Sequence, residues 1–144
     1  MKTDDARAAR VVAFFEGLQP ADLDRLHEVF TEDARFRDPF NRVQGLPAIR
    51  GVFDHMFRSL KAPRFVVRDV LVQGEQCFLT WDFRFGAPRL GPGEQCIHGG
   101  SHLRFAPDGR VAEHRDYWDA AEELYEKLPL VGTLMRWLKR RAAS

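Results

Sequence analysis

The sequence predicts an α+β fold, with helices first and a run of antiparallel strands after them. Two observations carry this. Apolar residues recur at helical spacing up to about residue 60, and from Arg64 onward the period drops to two. The strands are joined by short Gly- and Pro-containing turns, which favours an antiparallel meander over parallel crossovers. At roughly 150 residues per domain, the 144 residues make one domain.

Thr3 is placed to cap a first helix whose opening turn holds Asp4 and Asp5, acids that favour a helix N-terminus. Val11, Val12, Phe14, Phe15 and Leu18 form its apolar stripe, and Gly17 and Pro20 end it. Leu23, Leu26, His27 and Phe30 then repeat at i, i+3, i+4 and i+7, predicting a short second helix from Ala21. Ala34 to Asp38 alternates and stops at Asp38-Pro39, because proline disfavours helix at the residue before it. Pro47 opens a third helix with Ile49, Val52, Phe53, Met56 and Leu60 on its apolar face.

Four strands follow: Arg64–Val72, a segment around Cys77–Phe85, Glu94–Phe105 and Arg110–Trp118. Gln73-Gly74-Glu75 and Ala106-Pro107-Asp108-Gly109 are the turns, the latter with Pro and Gly where a type I turn takes them. Ala120–Lys127 and Leu130–Arg141 read as helices around Pro129. The core is thus about residues 8–119, with a helical extension over 120–144. One sheet face needs helices to cover it, and a curved sheet would leave an apolar hollow.

Lys+Arg 22 against Asp+Glu 21 leaves a net charge of +1, so no broad field gathers nucleic acid. No apolar run is long enough to cross a membrane, and Met1 to Asp5 lacks a secretory stretch, so a cytoplasmic protein is expected. Twelve Phe, three Trp and two Tyr supply either a dense core or the walls of a site for a flat apolar ligand.

If the loop over 86–93 joins a hairpin about its midpoint, paired residue numbers sum to about 179. Cys77 then faces His102 and Cys96 faces Phe83, about 20 Å apart along the sheet and beyond disulfide reach. His98 and His102 share a strand face but stand about 13 Å apart, too far to hold one metal ion, and no metal site is expected. His114-Arg115-Asp116 matches a kinase catalytic tripeptide without the asparagine, Gly-rich loop or strand lysine that belong with it. Asp38, His114 and Asp116 remain. His114, Asp116 and Trp118 share one face of the last strand, which is either a solvated surface or one wall of a site.

Ala21-Asp22-Leu23-Asp24, Phe30, Asp33-Ala34, Asp38-Pro39, Gly45 and Ala48-Ile49 carry a resemblance, with His102-Leu103-Arg104-Phe105 and Gly109-Arg110-Val111 on the later strand pair. Together they resemble the nuclear transport factor 2-like superfamily, in its ketosteroid-isomerase and SnoaL-like branches. The resemblance is diffuse and runs from about Val11 to Trp118. It implies a cone of curved antiparallel sheet wrapped by three helices, an apolar pocket inside it, and a homodimer. It also implies Asp38 as a general base, since ketosteroid isomerases keep an Asp before Pro at this place. Their oxyanion-hole tyrosine is replaced by Phe14, which donates no hydrogen bond, and their aspartic acid by Ser101. His114, Asp116 and Trp118 face the pocket in the same comparison.

Two functions follow. In one, an apolar, polycyclic or terpenoid carbonyl compound enters the cone, and Asp38 or Asp116 removes a proton beside the carbonyl while His114 orients or relays it. Trp81, Phe83, Leu103 and Trp118 would form the walls, and no cofactor is required. In the other, the same fold binds an apolar ligand or forms a dimer without chemistry. The Asp-Arg-Asp set of the superfamily's epoxide hydrolases has no residue-by-residue match. Leu130, Val131, Leu134, Trp137 and Leu138, beside Arg136, Lys139, Arg140 and Arg141, make a basic amphipathic helix. It is expected to close the cone mouth or pack at a dimer contact, rather than lie on a membrane.

Overall fold

In the computed structural model, which describes residues 3–123 and 129–143, Asp5 rather than Thr3 caps the first helix. The Asp5 carboxylate accepts from the backbone N–H of Arg7 and Ala8, while Thr3 Oγ1 accepts from the Asp5 N–H. Helix α1 (Ala6–Glu16) buries Ala8, Val11, Val12, Phe14 and Phe15 on one stripe and ends at Gly17. The next segment, Pro20–Glu28, is a 3-10 helix that buries Leu23 and Leu26. At three residues per turn, i and i+3 coincide, so this pair suits the tighter helix. Phe30 does not extend it, but begins strand β1 (Phe30–Arg37).

A turn at Asp38–Asn41 leads to the short strand β2 (Arg42–Gln44), which the sequence pattern did not reveal. Gly45 then caps helix α2 (Leu46–Ser59) at φ 92, a backbone conformation that favours glycine. Four long strands follow: β3 (Lys61–Gln73), β4 (Gln76–Gly86), β5 (Glu94–Phe105) and β6 (Val111–Tyr117). The sheet order is β2-β1-β6-β5-β4-β3, with β3 to β6 a continuous antiparallel meander. β1 runs parallel to β6, because the chain crosses from the first edge of the sheet to the other through α2.

The β4–β5 register differs by one residue from the expected one. Cys77 pairs with Leu103, not His102, and Cys96 pairs with Arg84, not Phe83. The expected midpoint misplaced the pairing because Gly86 still belongs to β4 and pairs with Glu94, which leaves the loop at 87–93. The apolar alternation decides the register: Cys77, Leu79, Leu103 and Phe105 are all buried on the inner face. Neither cysteine is part of a disulfide.

The inner face packs against α1 and α2 around Phe30, Ile49, Leu103, Val11 and Val111, the largest fully buried side chains. On the outer face Leu71 and Phe78 pair across β3 and β4 and stand exposed. Helix α3 (Ala120–Glu123) and helix α4 (Pro129–Ala142) complete the chain. The part of the expected helix beyond Glu123 lies outside the described residues, as do the side chains of Leu130 and Val131. Leu134, Trp137 and Leu138 of α4 are exposed on the single chain. Among the described residues, no helix is long and apolar enough to cross a membrane.

Candidate functional site

Two-residue spacing places His114 and Asp116 on the same face of β6, and Asp116 pairs directly with Ser101 on β5. Ser101 in turn pairs with Leu79 on β4, two residues from Trp81. Three neighbouring strands thereby bring four polar side chains into one hydrogen-bonded chain. Trp81 Nε1 donates to Ser101 Oγ at 2.8 Å, and Ser101 Oγ donates to Asp116 Oδ1 at 2.5 Å. His114 Nε2 lies 2.7 Å from the same carboxylate oxygen. With Asp116 ionised, the tautomer assigned from this network carries its proton on Nε2.

The other face of the imidazole is apolar. His114 is 6% exposed, and its ring centroid lies 4.7 Å from Phe36 and 5.8 Å from both Phe15 and Phe30. Its Nδ1 is buried and has no hydrogen-bond partner. A proton on that nitrogen would have no acceptor, whereas a bare lone pair is the less costly buried group. Aromatic contacts thus fix the ring plane, and Asp116 fixes its polar end.

Gly99 makes room for this arrangement. It pairs with Trp81, and a Cβ built on it would meet the Trp81 ring at 2.6 Å and the Trp118 Cβ at 3.0 Å. Any larger residue would push the indole away from Ser101.

Phe15, Phe53, Phe65, Val67, Leu79, Trp81, Ser101, His114 and Asp116 line an inner cavity of about 20 Å³. That is room for a single water molecule. A second, open groove of about 460 Å³ lies at the ends of β1 and β6, lined by Arg37, Asp38, Pro39, Arg115, Asp116, Tyr117, Trp118 and Asp119. Asp116 lines both spaces.

The remaining sequence-derived candidates separate. Asp38 lines the groove, but its Oδ1 accepts from the N–H of Phe40 at 2.8 Å and of Asn41 at 2.7 Å, and both oxygens accept from Asn41 Nδ2. Its carboxylate holds the turn. Trp118 is the groove wall, meeting Phe40 edge-on at 5.5 Å. Leu103 is fully buried in the core, and Phe83 stacks between Phe65 at 4.6 Å and Phe85 at 5.1 Å without lining the cavity. Phe14 also lies off the cavity, meeting Phe15 edge-on at 5.5 Å, and it is Phe15 that faces His114. Helix phase decides this, since neighbouring residues point about 100° apart. Phe53 and Phe65, also missed, carried the signal of an apolar helix face and of period-two alternation.

On the outer face, Asp82 accepts from His98 and from Arg68, and these bonds, His98 first, hold its carboxyl below the usual carboxylate range. His102 bonds Gln76 Oε1, so the two histidines stay apart. Among the described residues, no group of three His, Cys, Asp or Glu side chains is placed to hold a metal ion.

A curved six-stranded sheet covered by helices, with a hydrogen-bonded polar chain on its inner face, defines the α+β class of this fold. The chain belongs to the SnoaL-like domain family, whose model matches residues 11–114. No curated protein sequence matches it. Among solved structures it is similar to a Catenulispora acidiphila protein with a ketosteroid isomerase-like fold, solved with trimethylamine, at 16% identity over 88% of this chain and 96% of that one, with TM-score 0.72. It is also similar to an epoxide hydrolase of the LEH-like type from M. tuberculosis, at 19% identity over 95% and 99% of the two chains, with TM-score 0.68. A proposed SnoaL-like polyketide cyclase from Jannaschia sp. CCS1 matches at 18% identity over 81% and 85%, with TM-score 0.67. At these identities the likeness is one of fold: a nuclear transport factor 2-like α+β cone.

Proposed function

We propose that this protein transfers a proton next to a carbonyl group of a small, largely apolar molecule, as an isomerase or cyclase, and that Asp116 is the base. One observation carries the reading. Asp116 Oδ1 is held by Ser101 and His114, while Oδ2 has no hydrogen-bond partner among the described residues, and Asp116 is one of the residues that line the open groove. A general base needs an oriented carboxylate with one free lone pair within reach of substrate. Asp38 lines the same groove, but its carboxylate is committed to the turn.

In the proposed reaction the substrate lies in the groove against Trp118. Oδ2 takes a proton from the carbon beside the carbonyl; the C–H electron pair becomes the new C=C bond, and the carbonyl π pair moves onto oxygen to give the enolate. Where the substrate has a β,γ double bond the enolate is a dienolate, and return of the proton to its γ carbon gives isomerisation. Attack of the enolate carbon on a second carbonyl of the same molecule gives ring closure, and the alkoxide so formed takes the proton back from Asp116. His114 and Ser101 orient the carboxylate throughout, and Trp81 holds Ser101. The inner cavity, with room for one water, backs the site with the rings of Phe15, Phe53 and Phe65.

The test is exchange of α-protons for deuterium in D2O, followed by NMR over a panel of cyclic and polycyclic ketones. The wild type is expected to accelerate exchange for at least one ketone, and Asp116→Asn to lose about 10²–10⁴ of that rate. Equal exchange in both proteins would remove Asp116 from the mechanism. A non-catalytic binding module of the same fold is the second reading, favoured by Phe14, which donates no hydrogen bond, and by Ser101, whose hydroxyl is committed to Asp116. It predicts ligand binding with no exchange. We also propose a homodimer through the β3–β4 half of the outer face, where Leu71 and Phe78 stand exposed side by side. Leu71→Glu should shift the sedimentation coefficient from dimer to monomer, and an unchanged value would refute that contact.

A further inference from the structure

Beside the groove, the outer face of the sheet carries a row of like charges. Arg42 on β2 pairs with Arg37 on β1, and Arg37 pairs with Arg115 on β6. Neighbouring strands lie about 4.8 Å apart, so three guanidinium-bearing side chains start within about 10 Å of one another. Like charges directly opposite across strands are destabilising. The next row along resolves this conflict internally: Glu113 lies 4.0 Å from Arg35 and 3.4 Å from Arg104. The Arg42–Arg37–Arg115 row has no such partner. Among the described residues, none of the three has a carboxylate within ion-pair distance, and Arg115 instead lies 4.6 Å over the Tyr117 ring.

This row lines a hollow of about 620 Å³ that holds Arg35, Arg37, Arg42, Arg104 and Arg115 against the single carboxylate of Glu113. The hollow and the groove share Arg37, Arg115 and Tyr117. The groove itself carries Asp38, Asp116 and Asp119, so an anion would settle on the arginine side of that shared rim.

We propose that the Arg37–Arg42–Arg115 row is an anion subsite and that the molecule handled at Asp116 has an apolar body bearing one anionic group, a carboxylate or a phosphate ester. This rests on the reading of Asp116 as the base and adds the substrate class. The division of labour is physical. The guanidinium forks take the anionic group bidentately, and the apolar body crosses the rim to place its acidic C–H at Asp116 Oδ2.

Benzoate and phenyl phosphate are the probes, titrated calorimetrically at low ionic strength into the full chain. At least one should bind at one equivalent per chain, and Arg37→Gln or Arg115→Gln should weaken it by about tenfold or more. Arg58→Gln, which removes the same charge from the exposed face of α2, controls for net charge. Asp116→Asn should bind within about threefold of wild type while losing proton exchange, so the subsite and the base can fail separately. Preferred binding of benzoate assigns a carboxylate, and preferred binding of phenyl phosphate a phosphate ester. Binding of neither probe, indifference to Arg37→Gln and Arg115→Gln, or an equal loss in Arg58→Gln would overturn the proposal.

Discussion

At the scale of single residues, a buried serine and a glycine decide the geometry around Asp116. Ser101 both accepts from Trp81 and donates to Asp116. Ser101→Ala would leave a buried indole N–H without an acceptor, which costs about 1–3 kcal/mol. The prediction is a lower urea midpoint together with slower proton exchange, because Asp116 loses one of its two tethers. Gly99→Ala is the steric counterpart, and overpacking of this kind typically costs about 1–3 kcal/mol. Its Cβ would displace the Trp81 ring, so a changed tryptophan emission spectrum should accompany the lost stability. Unchanged emission would mean that the indole does not rest on Gly99. Serine at position 101 and glycine at 99 were visible in the sequence, but their meaning was not. Resemblance assigned Ser101 the place of an oxyanion donor, whereas the strand register points its hydroxyl at Asp116. Asp38 shows the same limit, since an Asp before Pro reads alike as a base and as a turn-holder.

At the scale of elements, the caps and strand faces give predictions that involve no substrate. The Asp5 carboxyl at the start of α1 is lowered to about 2, first by its bond to the Arg7 side chain and then by the N–H groups of Ala8 and Arg7. A carboxyl depressed in the folded state favours folding above its unfolded pKa, and that contribution disappears as pH falls through the folded value. Stability should therefore decline between about pH 4 and pH 2, and Asp5→Asn should flatten that part of the curve in a thermal-melt series. An identical slope in the variant would remove the cap from the account. On β4, burial pushes the Cys77 thiol up to about 11, whereas Cys96 on β5 is only partly buried. One thiol per native chain should react with a disulfide reagent at neutral pH, and the second only on unfolding. The elements themselves were largely legible, because an alternating strand and an apolar helix stripe are local signals. Register was less so. It depends on the shape of the loop between strands, and the buried partners Leu103 and Phe105 were a better guide than the loop's midpoint.

At the scale of the whole molecule, the order of helices and strands was enough to anticipate the α+β class and the antiparallel meander, and the family resemblance supplied the cone. The β1–β2 hairpin was not anticipated, since a three-residue edge strand has too few residues to show a period. The parallel pairing of β1 with β6 also escaped notice, though it matters for function: it sets Arg37 beside Arg115 and brings the Asp38 turn next to Asp116. Both candidate bases therefore line one groove, and sequence alone could not rank them. The proposed function ranks them by what each already holds. Asp38 is occupied by the turn, and Asp116 is oriented with one oxygen unbonded among the described residues. The direct test is conversion of a β,γ-unsaturated ketosteroid or an acidic analogue to its conjugated enone, followed by absorbance, in wild type, Asp116→Asn and Asp38→Asn side by side. The account predicts turnover in the wild type, a loss of about 10² or more in Asp116→Asn, and a smaller loss with reduced thermal stability in Asp38→Asn. Abolished turnover in Asp38→Asn with turnover retained in Asp116→Asn would contradict it.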